Sequence, residues 1–121
     1  MKIIQLYEMP EPFGSPELEL IGIDTLRFRY NRDQQPRQAA LRFGGVVALQ
    51  VRADTCIEKW QNDLYYILSE AVGSAWWESV VAAAPERLSY RTYKHHYAIL
   101  DVNCCYEFIA DSWELLPEEE G

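Results

Sequence analysis

Residues 26–30 read Leu-Arg-Phe-Arg-Tyr, in which apolar and basic side chains alternate. Successive side chains of a strand point to opposite faces, so the three apolar residues share one face and the two arginines share the other. The alternation continues after a polar turn, in Leu41-Arg42-Phe43 and in the set Val47, Leu49 and Val51. Strands with one polar face are typical of antiparallel sheets that are packed on one side.

One further strand and one turn complete the predicted meander of strands. Glu17 to Ile23 predict one more strand before it, and Gly44-Gly45 predict a hairpin turn or a bulge within it. Residues 1–17 are interpreted as an irregular, proline-rich start in which only residues 2–7 could form a short strand. Proline at positions 10, 12 and 16 lacks the N–H that a central strand needs.

The hydrophobic period changes at Asp54-Thr55. Thr55 and Glu58 have the spacing of a capping box, which predicts a helix that ends at Gly73. Its apolar stripe would be Ile57, Trp60, Leu64, Ile67, Leu68, Ala71 and Val72. Ser74 then caps a second, shorter helix that Pro85 ends. The stripe of this second helix would be Trp77, Val80, Val81 and Ala84.

Residues 93–102 and 106–110 predict a C-terminal hairpin that turns at Asn103-Cys104. A two-residue loop would set His96 opposite Asp111 and Leu100 opposite Glu107. The face with the better core character would carry Tyr97, Ile99, Tyr106, Phe108 and Ala110. The other face would carry His96, Ala98, Leu100, Glu107, Ile109 and Asp111. Residues 117–121 are expected to be a disordered acidic tail.

These elements predict one α+β domain over residues 1–121. The expected architecture is an antiparallel sheet of five or six strands with two helices packed on one face, in the order β-β-β-β-α-α-β-β. A chain of 121 residues buries enough surface for a core without disulfides or metals.

The net charge of −8 disfavours binding to nucleic acid or to anionic membranes, and it suits a basic protein partner. The charge is unevenly distributed. Residues 27–52 contain six arginines and one acid, whereas no Lys or Arg follows Lys94. Two interpretations remain open: the basic and acidic segments lie side by side and neutralise each other, or they form two separate surfaces.

The three cysteines, Cys56, Cys104 and Cys105, predict reduced thiols and a cytoplasmic location. No apolar run approaches the roughly 18 residues that a membrane helix needs. Adjacent cysteines do not have the spacing of a zinc site, and the chain has no glycine-rich phosphate loop. We therefore expect no metal and no cofactor.

One polar pair could carry chemistry. His96 opposite Asp111 would be half of a general-base arrangement, and Glu107 could add a second carboxylate. The alternative interpretation is a half-exposed histidine in an ordinary cross-strand pair.

Trp76 and Trp77 are adjacent on a predicted helix, about 100° apart, so both are buried only if the helix is widely covered. They are core fillers or, alternatively, exposed anchors for a partner. The candidate partner-binding set is Trp76, Trp77, Asp101, Glu107, Asp111 and Glu114.

Residues 96–103 and 106–112 resemble the C-terminal hairpin of small bacterial proteins, some of which are similar to immunity proteins of bacterial toxin systems. The resemblance covers about fifteen residues and implies a small acidic cytoplasmic inhibitor, with no functional residue carried over. Three functions follow as hypotheses. The first is a protein-binding module, in particular an immunity-type inhibitor of a basic bacterial toxin. The second is a homo-oligomeric interaction protein such as a homodimer, and the third is a small enzyme that uses His96, Asp111 and Glu107.

Overall fold

The computed structural model describes residues 1–83 and 94–121, which form ten strands, two 3-10 turns and one helix. The strands are β1 (Lys2–Glu8), β2 (Phe13–Ile21), β3 (Thr25–Arg32), β4 (Gln35–Gly44), β5 (Ala48–Ala53), β6 (Ile67–Val72), β7 (His95–Leu100), β8 (Cys104–Ala110), β9 (Ser112–Leu115) and β10 (Glu119–Glu120). The 3-10 turns are Asp54–Cys56 and Lys59–Gln61, and helix α1 is Ala75–Ala83. In these described ranges, no helix has the length and apolar character to cross a membrane.

The strands form two antiparallel sheets that pack face to face. Sheet A has the order β1-β6-β7-β8-β5, and sheet B has the order β10-β4-β3-β2, with β9 also paired to β4. Their inner faces build one core, in which the Phe43 ring stacks on Phe108 with centroids 4.1 Å apart. The other buried members include Leu18, Leu26, Phe28, Leu41, Leu68, Tyr97, Ile99, Tyr106 and Ala110.

A second apolar cluster lies on the outer face of sheet A. Leu64 covers the outward-facing side chains of Ala98, Leu100 and Cys105, and Ile57 and Trp60 pack against this cluster. The segment between β5 and β6 therefore adds a partial third layer to the sandwich. This layer also covers the candidate site described below.

The predicted α+β architecture of one sheet with two helices on one face is wrong. The protein is a mostly β sandwich of two five-stranded sheets, and its described part has a single helix of more than one turn. Residues 55–73, predicted as the first helix, instead form the two 3-10 turns and strand β6.

The apolar stripe of that predicted helix divides between two cores. Trp60 and Leu64 pack on the outer face of sheet A, whereas Leu68 is buried in the inner core. Tyr66 has a φ of 59°, a left-handed conformation that no helix interior accepts. The capping box is real but lies three residues later, at Glu58 and Gln61, where it opens only a short turn.

The second predicted helix exists as α1. Ser74 Oγ accepts a hydrogen bond from the Trp77 N–H at 3.1 Å, which confirms the predicted N-cap. The predicted end at Pro85, with Ala84, lies outside the described residues, as does the predicted strand start at residue 93.

Gly44-Gly45 does not close a hairpin, because β4 and β5 belong to different sheets. Gly45 has a φ of 65°, and its carbonyl accepts a hydrogen bond from Lys94 Nζ. A Cβ at this position would collide with the Asp111 carboxylate. The lack of side chains at Gly44 and Gly45 therefore lets the chain pass from sheet B to sheet A close to Asp111, whose N–H donates to the Gly44 carbonyl.

Gly45→Ala is expected to lower the free energy of unfolding by more than the ~1–2 kcal/mol that the left-handed backbone alone costs a non-glycine residue. The excess arises because the new Cβ displaces the Asp111 carboxylate from Lys94. Gly22→Ala is the matched control, since Gly22 has a φ of 64° and open space around its missing Cβ. Urea unfolding measures both variants, and equal losses would contradict the role of the close approach.

The C-terminal hairpin forms with the predicted faces but a different register. Leu100 pairs with Cys105, Ala98 with Glu107 and His96 with Ile109. The shift of two residues leaves every side chain on its predicted face, because strand faces repeat every second residue. All five residues predicted for the core face are buried in the inner core.

Both chain ends contain more strand than predicted. Pro16 lies within the edge strand β2, whose pairing with β3 is irregular between Phe13 and Leu18. The tail over residues 117–121, expected to be disordered, includes β10, in which Glu119 pairs with Gln38.

Candidate functional site

The outer face of sheet A contains a buried carboxylate. The side chain of Glu107, on β8, is 1% exposed and accepts four hydrogen bonds. Its Oε1 accepts from Gln61 Nε2 at 2.7 Å and from His96 Nε2 at 2.9 Å. Its Oε2 accepts from Gln50 Nε2 at 2.6 Å and from Arg52 at 3.0 Å. Three strands and the turn Lys59–Gln61 thus converge on one carboxylate.

Glu107 is held in its ionised form. Burial acts to raise its pKa, but hydrogen bonds from His96 and Gln50 and the nearby charge of Arg52 outweigh burial. The net result is a pKa below the usual range of a glutamate. A fully paired carboxylate of this kind can orient a neighbouring histidine.

The environment of His96 assigns its tautomer. A carboxylate can only accept, so we infer that the Nε2 facing Glu107 carries the proton. In the neutral ring Nδ1 is then an acceptor, and Ser74 Oγ lies 2.6 Å from it. The Ser74 hydroxyl therefore donates to Nδ1 while it accepts from the Trp77 N–H.

Two tryptophans enclose the His96 ring. The rings of Trp76 and Trp60 meet it edge to face, with centroids 5.0 Å and 5.7 Å away. Trp77 is also half-buried, and its Nε1 donates to the Lys94 carbonyl at 2.8 Å. Both residues of the Trp76-Trp77 pair therefore have contacts within the chain, so neither is a freely exposed anchor.

A cleft of about 380 Å³ opens beside this cluster. Its lining residues are Glu70, Ala71, Val72, Gly73, Trp77, Lys94, His95 and His96. His95 Nδ1 contacts Glu70 Oε2 at 2.6 Å on one wall. The cleft reaches His96 and also Gly73, the residue immediately before Ser74.

The predicted pairing of His96 with Asp111 is wrong. The two-residue register shift brings Glu107 beside His96 and places Asp111 at the rim, where its Oδ1 contacts Lys94 Nζ at 2.7 Å. Sequence reasoning treated Ser74 only as a helix cap and missed its contact with His96. Sequence reasoning also missed Arg52 and Gln61, because no motif marks them. The pairing of β5 with β8 places Arg52 beside Glu107, and the turn Lys59–Gln61 places Gln61 there.

Three acids of the C-terminal segment pair with arginines of the basic segment. Arg52 pairs with Glu107, and two further pairs join Arg42 to Glu114 and Arg32 to Glu118. The pairing of β4 with β9 and β10, and of β5 with β8, aligns the two segments. This supports the side-by-side interpretation of the charge distribution.

Asp101 is buried and has a structural role. Its Oδ1 accepts from the Asn103 and Cys104 N–H groups, both at 2.8 Å, and its Oδ2 accepts from the Leu18 N–H at 3.2 Å. It therefore fixes the β7–β8 turn and ties it to sheet B. Of the six predicted partner-binding residues, Asp101 and Glu107 are buried, while Asp111 and Glu114 are exposed but paired with bases.

The cysteines are free thiols. Burial, with a smaller contribution from Glu107, raises the pKa of Cys105 to about 12, and burial also raises the pKa of Cys104. Both thiols are therefore poor nucleophiles at neutral pH. Over residues 1–83 and 94–121, no group of three or more His, Cys, Asp or Glu side chains could hold a metal ion.

One end of the sandwich is formed by segments that contain acids but no bases, and Arg52 and Arg29 contact two of these segments at its border. The segments that meet there are residues 9–17, 53–58, 62–66 and 101–104, and none of them contains Lys or Arg. They are joined by hydrogen bonds from Met9 N to Tyr66 O and from Asp54 N to Asn103 O, both 2.9 Å. We call this surface the acidic end and define it by Glu11, Glu17, Asp54, Asp63, Tyr65 and Val102.

Tyr66 organises the acidic end from a left-handed conformation. Its hydroxyl donates to Glu17, and its N–H donates to the Leu100 carbonyl at 2.9 Å. Burial, followed by this hydrogen bond and the charges of Glu17 and Glu11, raises the pKa of Tyr66 to about 12. Strained backbone held by several contacts is more frequent at functional sites than elsewhere.

Comparisons of the chain with family models, with curated proteins and with solved structures found no match.

Proposed function

We propose that this chain is a protein-binding module that recognises a basic partner through the acidic end. The observation that carries the proposal is the location of uncompensated negative charge. Glu107, Glu114 and Glu118 of the C-terminal segment are paired with arginines, whereas the segments that form the acidic end contain no Lys or Arg. Electrostatic complementarity of this kind steers association and selects against acidic partners.

The acidic end also offers two side chains suited to be contact anchors. Tyr65 is 41% exposed and Val102 is 49% exposed, although both are large and apolar. A bridge between Tyr65 and Leu100 sets Tyr65 next to the turn that carries Val102. Tyrosine is enriched among the residues that dominate binding energy in protein interfaces.

An immunity-type inhibitor of a basic bacterial toxin is the specific form of this proposal. A small acidic module that covers a basic active site needs charge and one or two anchors, and the acidic end has both. The proposal includes a cytoplasmic location with reduced thiols and excludes binding to nucleic acid or membranes, since both ligands are anionic.

The test is affinity capture with three versions of the tagged chain. The double variant Glu11→Lys/Asp63→Lys reverses two charges of the acidic end. Glu78→Lys/Glu119→Lys makes the same change in net charge at exposed positions elsewhere. We expect the wild type and the control to retain one basic protein that salt releases, and the acidic-end variant to lose it.

Co-expression gives the functional readout. If the captured protein is toxic, the wild type and the control should restore growth and Glu11→Lys/Asp63→Lys should not. Equal capture by all three versions would contradict the proposed surface. Recovery of the chain alone would favour the homo-oligomer hypothesis, which sedimentation at several concentrations then measures.

A further inference from the structure

We propose that Ser74, His96 and Glu107 form a nucleophile, general base and orienting carboxylate that hydrolyse small carboxylic esters bound in the adjacent cleft. This activity is separate from the binding of a partner at the acidic end. The pair of His96 and Asp111 expected from sequence is replaced by three residues that the fold brings together from the N-cap of α1, from β7 and from β8.

Two hydrogen bonds join the three side chains. Ser74 Oγ lies 2.6 Å from His96 Nδ1, and His96 Nε2 lies 2.9 Å from Glu107 Oε1. Both distances are within the range required of a nucleophile, its base and the group that orients the base. Ser74 and His96 are 3% and 1% exposed, so bulk water does not compete for these hydrogen bonds.

The rest of the network fixes the carboxylate. Arg52 and Gln61 hold Glu107 in place, and Gln61 Oε1 is itself anchored by Arg52 at 3.0 Å and by the Glu58 N–H at 2.8 Å. A carboxylate held this way keeps the proton of His96 on Nε2, which leaves Nδ1 free to accept the serine proton. Glu107, Arg52 and Gln61 are therefore positioning residues, whereas Ser74 and His96 are catalytic residues.

The N–H groups at the start of α1 stabilise the negative charge that forms on the substrate carbonyl oxygen. Ala75 and Trp76 are the first two residues of the helix, so their N–H groups have no acceptor within it. These N–H groups follow directly on Ser74, and the positive end of the helix dipole lies there. An oxyanion that forms on a carbonyl attacked by Ser74 Oγ would develop beside them.

The cleft lies next to the serine. Gly73 and His96 both line it, and a side chain at Gly73 would have only Met1 Cα near it, at 4.0 Å. The backbone immediately before Ser74 and the ring of its base therefore both border the cleft. Val72, Ala71 and Trp77 make the other walls largely apolar, and a volume of about 380 Å³ suits a small ester with an aliphatic acyl group.

The reaction has two balanced halves. Ser74 Oγ bonds to the ester carbonyl carbon as its proton passes to His96 Nδ1. The bond to the alcohol oxygen then breaks, and the alcohol leaves with that proton. Water next attacks the acyl-serine and gives a proton to Nδ1, and Ser74 Oγ takes the proton back as the carboxylic acid departs. The only co-reactant is water.

The first test needs no variant. The folded wild-type chain is incubated with a fluorophosphonate probe, which labels activated serines, and the modified peptide is identified by mass spectrometry. We expect one adduct, on Ser74, together with hydrolysis of 4-nitrophenyl acetate. Absence of the adduct, or an adduct only at another residue, would overturn the proposal.

Two variants separate chemistry from folding. Ser74→Asn keeps an oxygen that can cap α1 but has no hydroxyl, so it should lose labelling and at least ~100-fold of the hydrolysis rate. Ser79→Ala on the same helix is the control and should retain both. Glu107→Gln should lower the rate and change its pH profile. A Ser74→Asn protein that hydrolyses the ester at the wild-type rate would refute the nucleophile.

Discussion

Glu107→Ala is expected to lower the free energy of unfolding by about 3–5 kcal/mol, the usual loss when one partner of a buried ion pair is removed. The substitution leaves Arg52, His96, Gln50 and Gln61 without their common acceptor. Each buried donor left unpaired costs free energy, because the alanine side chain offers no acceptor in place of the carboxylate. Urea unfolding followed by tryptophan fluorescence measures the loss.

Glu114→Ala is the matched control for this prediction. Glu114 also pairs with an arginine across strands, but both side chains of its pair with Arg42 are 53% exposed. Exposed pairs contribute about 0–1 kcal/mol because water and salt screen them. Equal losses in the free energy of unfolding for the two substitutions would show that burial does not strengthen the Glu107 network.

The contribution of Glu107 should depend on pH in one direction. Its pKa in the folded chain is below the unfolded value of about 4.5, so its stabilisation is fully present above that value. It is lost as pH falls through the lower, folded pKa. The difference in stability between wild type and Glu107→Ala should therefore be largest near neutral pH and shrink below about pH 4.5. A difference that grows on acidification would contradict this sign.

The alternation of apolar and polar residues predicted the strands well, because side chains that alternate at every second position are typical of a β-strand and not of a helix. It identified the meander β2-β3-β4 and both faces of the C-terminal hairpin. It could not show that β5 leaves its neighbours for the other sheet, since Gly44-Gly45 suits a hairpin and a crossing equally. Nor could it separate Leu68 from Trp60, which fall on one helical stripe yet pack on opposite sides of sheet A.

The candidate site was harder to predict because its members are distant in sequence. His96 and Glu107 were singled out as polar residues on one strand face, but their contact depends on a register that the loop sets. Ser74 already had a sufficient explanation as a helix cap. Only the packing of α1 against β7 shows that the same hydroxyl serves a histidine.

Phe108→Ala is expected to cost about 3–5 kcal/mol, the range for removal of a buried phenylalanine. Phe108 is fully buried on β8, between β7 and β5, and its ring lies 13° from parallel to that of Phe43 in the opposite sheet. The substitution therefore opens a cavity at the contact between the sheets. Phe13→Ala, at a partly exposed edge position beside Arg29, should cost about 1 kcal/mol or less.

The double variant Phe43→Ala/Phe108→Ala tests whether this pair joins the two sheets. Residues that share a cavity are not additive, so the double variant should cost less than the sum of the single variants, by at least ~0.5 kcal/mol. Additive losses would mean that each ring packs within its own sheet. That result would contradict the stacked contact at 4.1 Å as the centre of the sandwich core. Because β8 also carries Glu107 on its other face, a loosened core should weaken the Glu107 network as well.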